Sequence, residues 1–369
     1  MIGAPAFDFA TLRRYPEVEA ANLFAHDSAD RLILDEAGDA LATAAPGEVA
    51  VIGDAYGALT LGSGALHVRV FQDSIVSESA LANNAPAGGS YRSLGLDREL
   101  LEGARIVLLK LPKGLDGLDD IAASISEWAS DDVVVFAGGR IKHMTLSMNE
   151  VLSRHFGKLE VRLARQKSRV LVASSPITTG GPVVRRTFDD ELRLWVCATG
   201  SVFAGARVDI GTRALLAVLD QAAPDARSAA DLGCGTGVLA AELAKRRPGL
   251  AVLASDASAS AVASTRATIA ANRLDNVTVT RDNALAAEPA ASLDLVVLNP
   301  PFHLASTVHT GAATKLFEAA ARVLAPGGEL WTVYNSHLGY RGELERVVGP
   351  TREVSRNSKF TVTVSKRVI

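Results

Sequence analysis

The 369-residue sequence has few cysteines, few aromatic residues and little excess of either charge. Its two cysteines, Cys197 and Cys234, cannot form a disulfide framework, and neither belongs to a metal-binding CxxC pair. With a formal net charge of −3, any nucleic acid would have to bind a local basic patch. No apolar run approaches the ~18 residues that cross a bilayer, and residues 1–16 lack the apolar core of a signal peptide. We therefore expect a cytoplasmic protein without a membrane or metal partner.

What is present favours a packed α/β protein. Hydrophobic residues make up 48% of the chain, and short apolar, β-branched runs alternate with helical stretches, as in parallel β/α packing. The length suits two domains, and residues 174–182 (SSPITTGGP) have the composition of a linker. We place the domains at residues 1–178 and 185–369. The predicted strands are 47–54, 66–72, 104–111, 132–137, 228–232, 251–255, 277–281, 293–298, 329–334 and 360–366.

The two halves repeat one plan loosely, which indicates an ancient duplication. Polar residues and a proline follow comparable strands in each half. The fold class that we expect is α/β, with two tandem Rossmann-like domains and a degenerate first copy. The expected equivalent pairs are Asp54 with Asp231, Asp73 with Asp256, and Pro112 with Pro300.

A glycine-rich loop, 231–237 (DLGCGTG), joins a predicted strand to a predicted helix. Glycines let the backbone approach a ligand, and the helix N-terminus behind them offers unpaired N–H groups. The dinucleotide fingerprint GxGxxG would need glycine or alanine at position 238, which is Val238. The spacing therefore favours a compact nucleoside that carries an amino acid, which is S-adenosylmethionine. The predicted cofactor-binding residues of this loop are Asp231, Gly233, Gly235 and Gly237.

Polar residues also follow the next two strands. Asp256 lies 23 residues after Gly233, where an acid can accept both ribose hydroxyls. Asp282 and Asn283 follow the third strand, where a short polar side chain can hydrogen-bond the adenine amino group, and we prefer Asn283. Ligand-facing positions after three successive strands support the S-adenosylmethionine site more strongly than the glycine loop alone.

The fourth strand of the second half ends in Asn299-Pro300-Pro301-Phe302. An exocyclic amine on a nucleobase is a poor nucleophile, because its lone pair is delocalised into the ring. The Asn299 side-chain oxygen and the Pro300 carbonyl can accept its hydrogens and aim the lone pair at a methyl group. The prolines stiffen this turn, and Phe302 can stack on an extruded base. The motif predicts methylation by positioning.

The motif does not distinguish between adenine N6, guanine N2, cytosine N4 and a glutamine side-chain amide. His303, the next residue, could touch the base, orient Phe302 or cap the following helix. A general base is not obviously required, because the methylated amine readily loses its proton.

Three stretches resemble bacterial two-domain ribosomal RNA guanine-N2 methyltransferases: 200–213, 299–303, and 335–340 together with 357–360. Segments 50–59 and 141–149 resemble the branch that modifies 23S large-subunit RNA. The resemblance implies two tandem Rossmann-like class I methyltransferase domains. It also implies that the first of them has lost cofactor binding and helps to hold RNA. It also makes Phe203 a candidate for substrate binding, although Ala204 stands where the family commonly carries serine.

A basic segment runs from residue 140 to residue 169, with eight Lys or Arg against two acids. This excess suits contact with phosphates, and target choice would then depend on RNA shape and an accessible base. The candidate RNA-binding residues are Arg154, Lys158, Arg162, Arg165 and Lys167.

Together these features predict a monomer that transfers a methyl group from S-adenosylmethionine to guanine N2 in 23S ribosomal RNA. The alternatives are a small-subunit rRNA guanine-N2 or adenine-N6 methyltransferase, a protein glutamine methyltransferase, and a non-catalytic RNA-binding ribosome-assembly factor. The intact loop 231–237, Asp256 and Asn299 argue against the last.

Overall fold

The computed structural model describes residues 7–86, 89–200, 202, 204–300 and 310–368. The chain divides into two compact units between Val183 and Val184. In the described residues, no helix is both long enough and apolar enough to span a membrane.

The first unit is a twisted sheet covered by helices. The strands are β1 (Val49–Ile52), β2 (Val68–Phe71), β3 (Tyr91–Ser93), β4 (Ile106–Lys110), β5 (Val134–Arg140), β6 (Phe156–Val161) and β7 (Ser168–Pro176). They lie in the order β3-β2-β1-β4-β5-β7-β6, and β7 runs antiparallel to both of its neighbours while the other pairs are parallel. The helices are α1 (Ser28–Leu41), α2 (Ala58–Gly62), α3 (Ile75–Asn84), α4 (Arg98–Leu101), α5 (Leu115–Trp128) and α6 (Leu146–His155).

The second unit opens with a hairpin, β8 (Arg185–Asp189) and β9 (Leu194–Ala198), and continues into a larger sheet. The strands of that sheet are β10 (Ser228–Leu232), β11 (Ala251–Asp256), β12 (Val277–Arg281), β13 (Leu293–Leu298), β14 (Leu324–Asn335), β15 (Thr351–Arg356) and β16 (Phe360–Lys366). They lie in the order β12-β11-β10-β13-β14-β16-β15. The helices are α7 (Ile210–Leu216), α8 (Val238–Arg246), α9 (Ala259–Ala271), α10 (Thr310–Val323) and α11 (Arg341–Val347).

The two larger sheets have the same strand order, and in each the antiparallel strand is next to the last in that order. This repetition confirms the predicted fold class of two Rossmann-like methyltransferase domains. The pattern has a physical cause, since strands such as β1 and β13 are apolar almost throughout and must be buried on both faces. In β13, Leu295 and Val297 face one apolar core, and Val296 and Leu298 face another on the opposite side of the sheet.

Candidate active site

Polar side chains collect at the carboxyl edge of the second sheet. Strands β10 to β13 run parallel, so their carboxyl ends meet at one edge. Asp256 ends β11, Asp282 follows β12 and Asn299 follows β13. The Gly235 amide donates to Asp256 Oδ2 at 3.0 Å, and the Asp282 amide donates to the Asp256 carbonyl at 3.0 Å. The structure therefore brings the loop and the ends of the neighbouring strands together.

The three glycines of the loop serve two different purposes. All have positive φ, with values of 75° at Gly233, 54° at Gly235 and 78° at Gly237. A Cβ at Gly233 or Gly235 would meet no atom within 4 Å, whereas one at Gly237 would lie 2.7 Å from Thr265 Cγ2. Gly233 and Gly235 thus leave open space beside the backbone, and Gly237 allows α8 to pack against α9.

Asp231 lies on β10 below this loop and is 1% exposed. Its Oδ2 accepts one hydrogen bond from the Ala240 amide at 3.0 Å. Burial raises the pKa of the Asp231 carboxyl to about 7, and the negative charge of Asp256 acts in the same direction. A cation that arrived beside this carboxyl would favour its ionised form.

Two carboxylates shape the rest of the edge. Asp256 is held on both oxygens, because Oδ1 also accepts from the Ser258 amide at 2.9 Å. Asp282 accepts from the amides of Asn283 at 2.7 Å and Ala287 at 2.9 Å, so it closes its own loop. Asn283 accepts from Lys315 through its side-chain oxygen at 3.3 Å. The adenine contact assigned to Asn283 stays a prediction.

Asn299 is held by residues that the sequence analysis did not assign to the site. Its Nδ2 donates to Thr212 Oγ1 at 3.0 Å and to Asp209 Oδ2 at 3.2 Å. Its Oδ1 is buried and has no partner in the part of the chain that the structure describes. Asp209 lies immediately before α7, and an aspartate at that place is typical of a helix cap. The candidates Phe203, Pro301, Phe302 and His303 lie outside the described residues, and Pro300 is buried.

Strand pairing shows which residues of the first unit correspond to this site. Ile52, the last residue of β1, pairs with Phe71 and Leu109, just as Leu232 pairs with Ser255 and Leu298. The three correspondences expected from the sequence are therefore wrong in register, because similar residue types fall a few positions away from the true equivalents. The equivalent pairs are Val51 and Asp231, Asp54 and Cys234, Ala55 and Gly235, Gln72 and Asp256, Lys110 and Asn299, and Leu111 and Pro300.

Most of the candidate RNA-binding cations already have acidic partners. Arg154 pairs with Asp119 at 3.0 Å, Lys158 with Glu160 at 2.7 Å, and Arg162 and Arg165 with Glu36 at 3.5 and 3.2 Å. Lys167 is exposed and has no acidic partner among the described residues. Sequence reasoning counted only the acids within the segment, whereas Glu36 and Asp119 reach it from α1 and α5.

Two family models match the chain, one in each unit. The RLMG N-terminal domain matches residues 4–176, and the Methyltransferase small domain matches residues 193–364. A solved structure titled T. Thermophilus 16S rRNA N2 G1207 methyltransferase (RsmC) in complex with AdoMet and Guanosine has a TM-score of 0.73 and 22% identity. It covers 93% of this chain and 92% of its own, so the likeness in fold includes both units.

Curated relatives match over almost the full length. A Pseudomonas aeruginosa protein named Ribosomal RNA large subunit methyltransferase G is 34% identical, with 97% of this chain and 98% of the relative covered. A protein of the same name from Streptomyces avermitilis is 32% identical, with 95% of each covered. These matches confirm the predicted enzyme class and the large-subunit branch. The chain belongs to the ribosomal RNA large subunit methyltransferase G family.

Proposed function

We propose that the second unit transfers a methyl group from S-adenosylmethionine to the exocyclic N2 of a guanine in large-subunit ribosomal RNA. The observation that carries this proposal is the buried Asn299 Oδ1, which has no partner in the described residues and lies at the same sheet edge as the glycine loop. A buried acceptor without a donor is costly, so its presence at this sheet edge supports a ligand donor there.

The residues around the loop fit S-adenosylmethionine, which supplies the methyl group when it is bound. Gly233 and Gly235 leave room for a ligand beside the backbone. Asp231 accepts a hydrogen bond from the Ala240 amide, and its carboxylate can form an ion pair with a cationic amino group. Asp256 is fixed at the end of β11, where a carboxylate suits ribose hydroxyls, and Asp282 with Asn283 would border the adenine.

Asn299 would act on the nucleobase. Its Oδ1 would accept one hydrogen bond from the exocyclic amine, and the carbonyl of Pro300 would accept another. The two bonds would hold the nitrogen pyramidal. The proton lost on methylation is acidic enough to pass to water. Pro301 and Phe302 belong to the same proposed motif, with Phe302, Phe203 and His303 as the proposed contacts of the base. Catalysis in this scheme comes from positioning and desolvation.

The choice of guanine N2 is supported by the family and by the names of related proteins. The curated relatives are named as large-subunit ribosomal RNA methyltransferases, and the fold neighbour is titled an N2 guanine methyltransferase with guanosine bound. Asn299 alone would also suit an adenine or an amide, so the substrate assignment depends on these names.

We propose that Lys and Arg side chains without an acidic partner contribute more to RNA binding than those that are paired with a carboxylate. Ile141 donates its amide to the Lys167 carbonyl at 3.0 Å, which brings the loop after β5 next to the start of β7. Arg140, Lys142, Lys167 and Arg169 lie on these two segments, and none has an acidic partner among the described residues. Phosphates would bind there without first displacing a carboxylate. The paired residues Arg154, Lys158, Arg162 and Arg165 would contribute less.

The described side chains of the proposed methyl-transfer site all come from one unit, which supports action as a monomer. A ribosomal RNA substrate supports a cytoplasmic location. Neither proposal enters the chemistry above.

The experiment is transfer of a labelled methyl group to purified large and small ribosomal RNAs, protein-free and as assembled subunits, followed by nucleoside analysis. We expect N2-methylguanosine in the large RNA alone. Label in the small RNA, or on adenine, would overturn the proposed substrate. Label on protein, or no label on any RNA, would overturn the proposed function in favour of a glutamine methyltransferase or an assembly factor.

A further inference from the structure

The orientation of the Asn299 amide decides whether the site can work. Amide oxygen and nitrogen are nearly the same size, so a flip of the side chain costs little in packing. With Oδ1 toward the substrate, the side chain accepts a hydrogen bond from the amine. With Nδ2 toward it, two donors would face each other. The proposed function therefore requires one orientation to be enforced.

We propose that Asp209 and Thr212 are positioning residues that enforce this orientation, an inference that rests on the proposed function. A carboxylate can only accept hydrogen bonds, so the amide atom 3.2 Å from Asp209 Oδ2 has to be Nδ2. A flipped amide would set its oxygen against the carboxylate oxygen. Thr212 Oγ1 accepts from the same Nδ2 at 3.0 Å, which leaves Oδ1 as the free atom.

The two positioning residues are themselves fixed. Asp209 Oδ2 accepts from the amides of Gly211 at 2.8 Å and Thr212 at 3.2 Å, so it caps the N-terminus of α7. α7 is anchored by Leu215 and Leu216, which are almost fully buried in the apolar core. The amide of Asn299 is thereby connected to the core through a short helix rather than through a mobile surface loop.

The first unit contains the same construction around a different group. Asp27 caps α1 by accepting from the amides of Ala29 at 2.7 Å and Asp30 at 3.4 Å. Lys110, the equivalent of Asn299, donates to the carboxylates of both Asp27 and Asp30. There the contact is an ion pair, and the Lys110 side chain has no acceptor atom to offer a substrate. The first unit therefore supplies a matched control, in which the cap can be changed without touching the proposed site.

The variants separate capping from positioning. In Asp209→Ser the hydroxyl can still cap α7, but the shorter side chain does not reach Asn299. Asp209→Asn keeps an oxygen in place for both contacts. Thr212→Val removes the second acceptor and Thr212→Ser restores it. Asp27→Ser is the control in the first unit. Each is assayed for melting temperature, S-adenosylmethionine affinity and the single-turnover rate of rRNA methylation.

We expect Asp209→Ser to lower the single-turnover rate about 10- to 100-fold, as a small misplacement of a reacting group does, with cofactor affinity unchanged. Thr212→Val should lower it less. Asp209→Asn, Thr212→Ser and Asp27→Ser should stay near the wild-type rate. In an Asn299→Ala background, Asp209→Ser should cause no further loss, because residues that act through one another are not additive.

Two results would overturn the proposal while leaving the proposed function intact. One is a wild-type rate for both Asp209→Ser and Thr212→Val although Asn299→Ala is inactive. The other is an equal loss from Asp209→Ser with and without Asn299, which would show that Asp209 acts independently. Full activity of Asn299→Ala would instead overturn the proposed role of Asn299, and the inference with it.

Discussion

The two units share a strand order and a helix-capping aspartate that contacts the end of β4 in the first and of β13 in the second. Among the described residues, the groups proposed for methyl transfer lie in the second unit. The differences that bear on this proposal lie at one edge of the sheet. Apolar strands and their helices specify the fold in both, so the fold does not depend on the ligand site. The replacements in the first unit are Val51 for Asp231, Ala55 for Gly235, Gln72 for Asp256 and Lys110 for Asn299.

At the equivalent edge of the first unit, polar side chains bond to neighbouring groups of the same unit. Gln72 donates its side-chain amide to the carbonyls of Asp54 and Ser77. The Asp54 carboxylate accepts from the amides of Gly57, Leu59 and Thr60, as well as from the Thr60 hydroxyl. The Asp54 carboxylate and the NH2 group of Gln72 thus have their partners within the first unit.

The Asn299→Ala variant tests the comparison most severely. We expect the methyl-transfer rate to fall about 10²- to 10³-fold, the typical loss when one preorganised hydrogen-bonding group is removed, with cofactor affinity largely kept. Lys110→Ala, at the equivalent position, should leave the rate unchanged, although it removes the partner of Asp27 and Asp30. Rates under single-turnover conditions with rRNA measure both. A large loss of methyl transfer in Lys110→Ala would show that the first unit takes part in the chemistry.

The Asp256→Ala variant removes the carboxylate proposed to bind the ribose, which the first unit lacks because it has Gln72 at the equivalent position. Loss of a charged acceptor costs about 1.5–3 kcal/mol for each hydrogen bond, so S-adenosylmethionine affinity should fall about 10- to 100-fold. Gln72→Ala should leave the affinity unchanged. Calorimetric titration of the cofactor measures both values, and unchanged affinity in Asp256→Ala would remove this carboxylate from the site.

Local patterns predicted the second unit better than the first. The predicted strands 228–232, 277–281, 293–298 and 360–366 match β10, β12, β13 and β16 residue for residue. These strands are bounded by glycine, proline or charged turns, which limit where an extended segment can end. In the first unit α1 and the β6–β7 hairpin were not predicted, because their polar and apolar residues alternate less clearly.

The site was predicted by residue type but not by partner. Glycine spacing and the acids after successive strands indicated the loop and Asp256 directly. The contacts of Asn299 with Asp209 and Thr212 join residues 90 and 87 positions apart, and no local pattern encodes such a pairing. For the same reason, neutralisation of Arg165 by Glu36, 129 positions earlier, could not be inferred from the charge of its own segment.

Two glycines of the loop can be compared directly. Gly235→Ala should reduce cofactor affinity about tenfold, because its Cβ would enter open space proposed for the ligand. Its left-handed backbone, with φ of 54°, should lower the free energy of unfolding by about 1–2 kcal/mol. Gly237→Ala should lower the free energy of unfolding by about 1–3 kcal/mol more than Gly235→Ala does, since its Cβ would also overlap Thr265. Denaturant melts and cofactor titrations separate the two effects. Equal loss of stability in both variants would contradict the division of roles within the loop.

The smallest expected effect concerns Asp231, whose equivalent Val51 has no charge. The folded-state pKa of about 7 is raised above the ordinary value of 3.8, so the folded protein holds a proton that the unfolded chain has released. This destabilisation is absent below about pH 4, grows as the pH rises toward 7 and is constant above it. Asp231→Asn should therefore raise the melting temperature by a few degrees at pH 8 and by much less at pH 5. Thermal melts without cofactor at both pH values measure this, and an equal change at the two would exclude a raised pKa for Asp231.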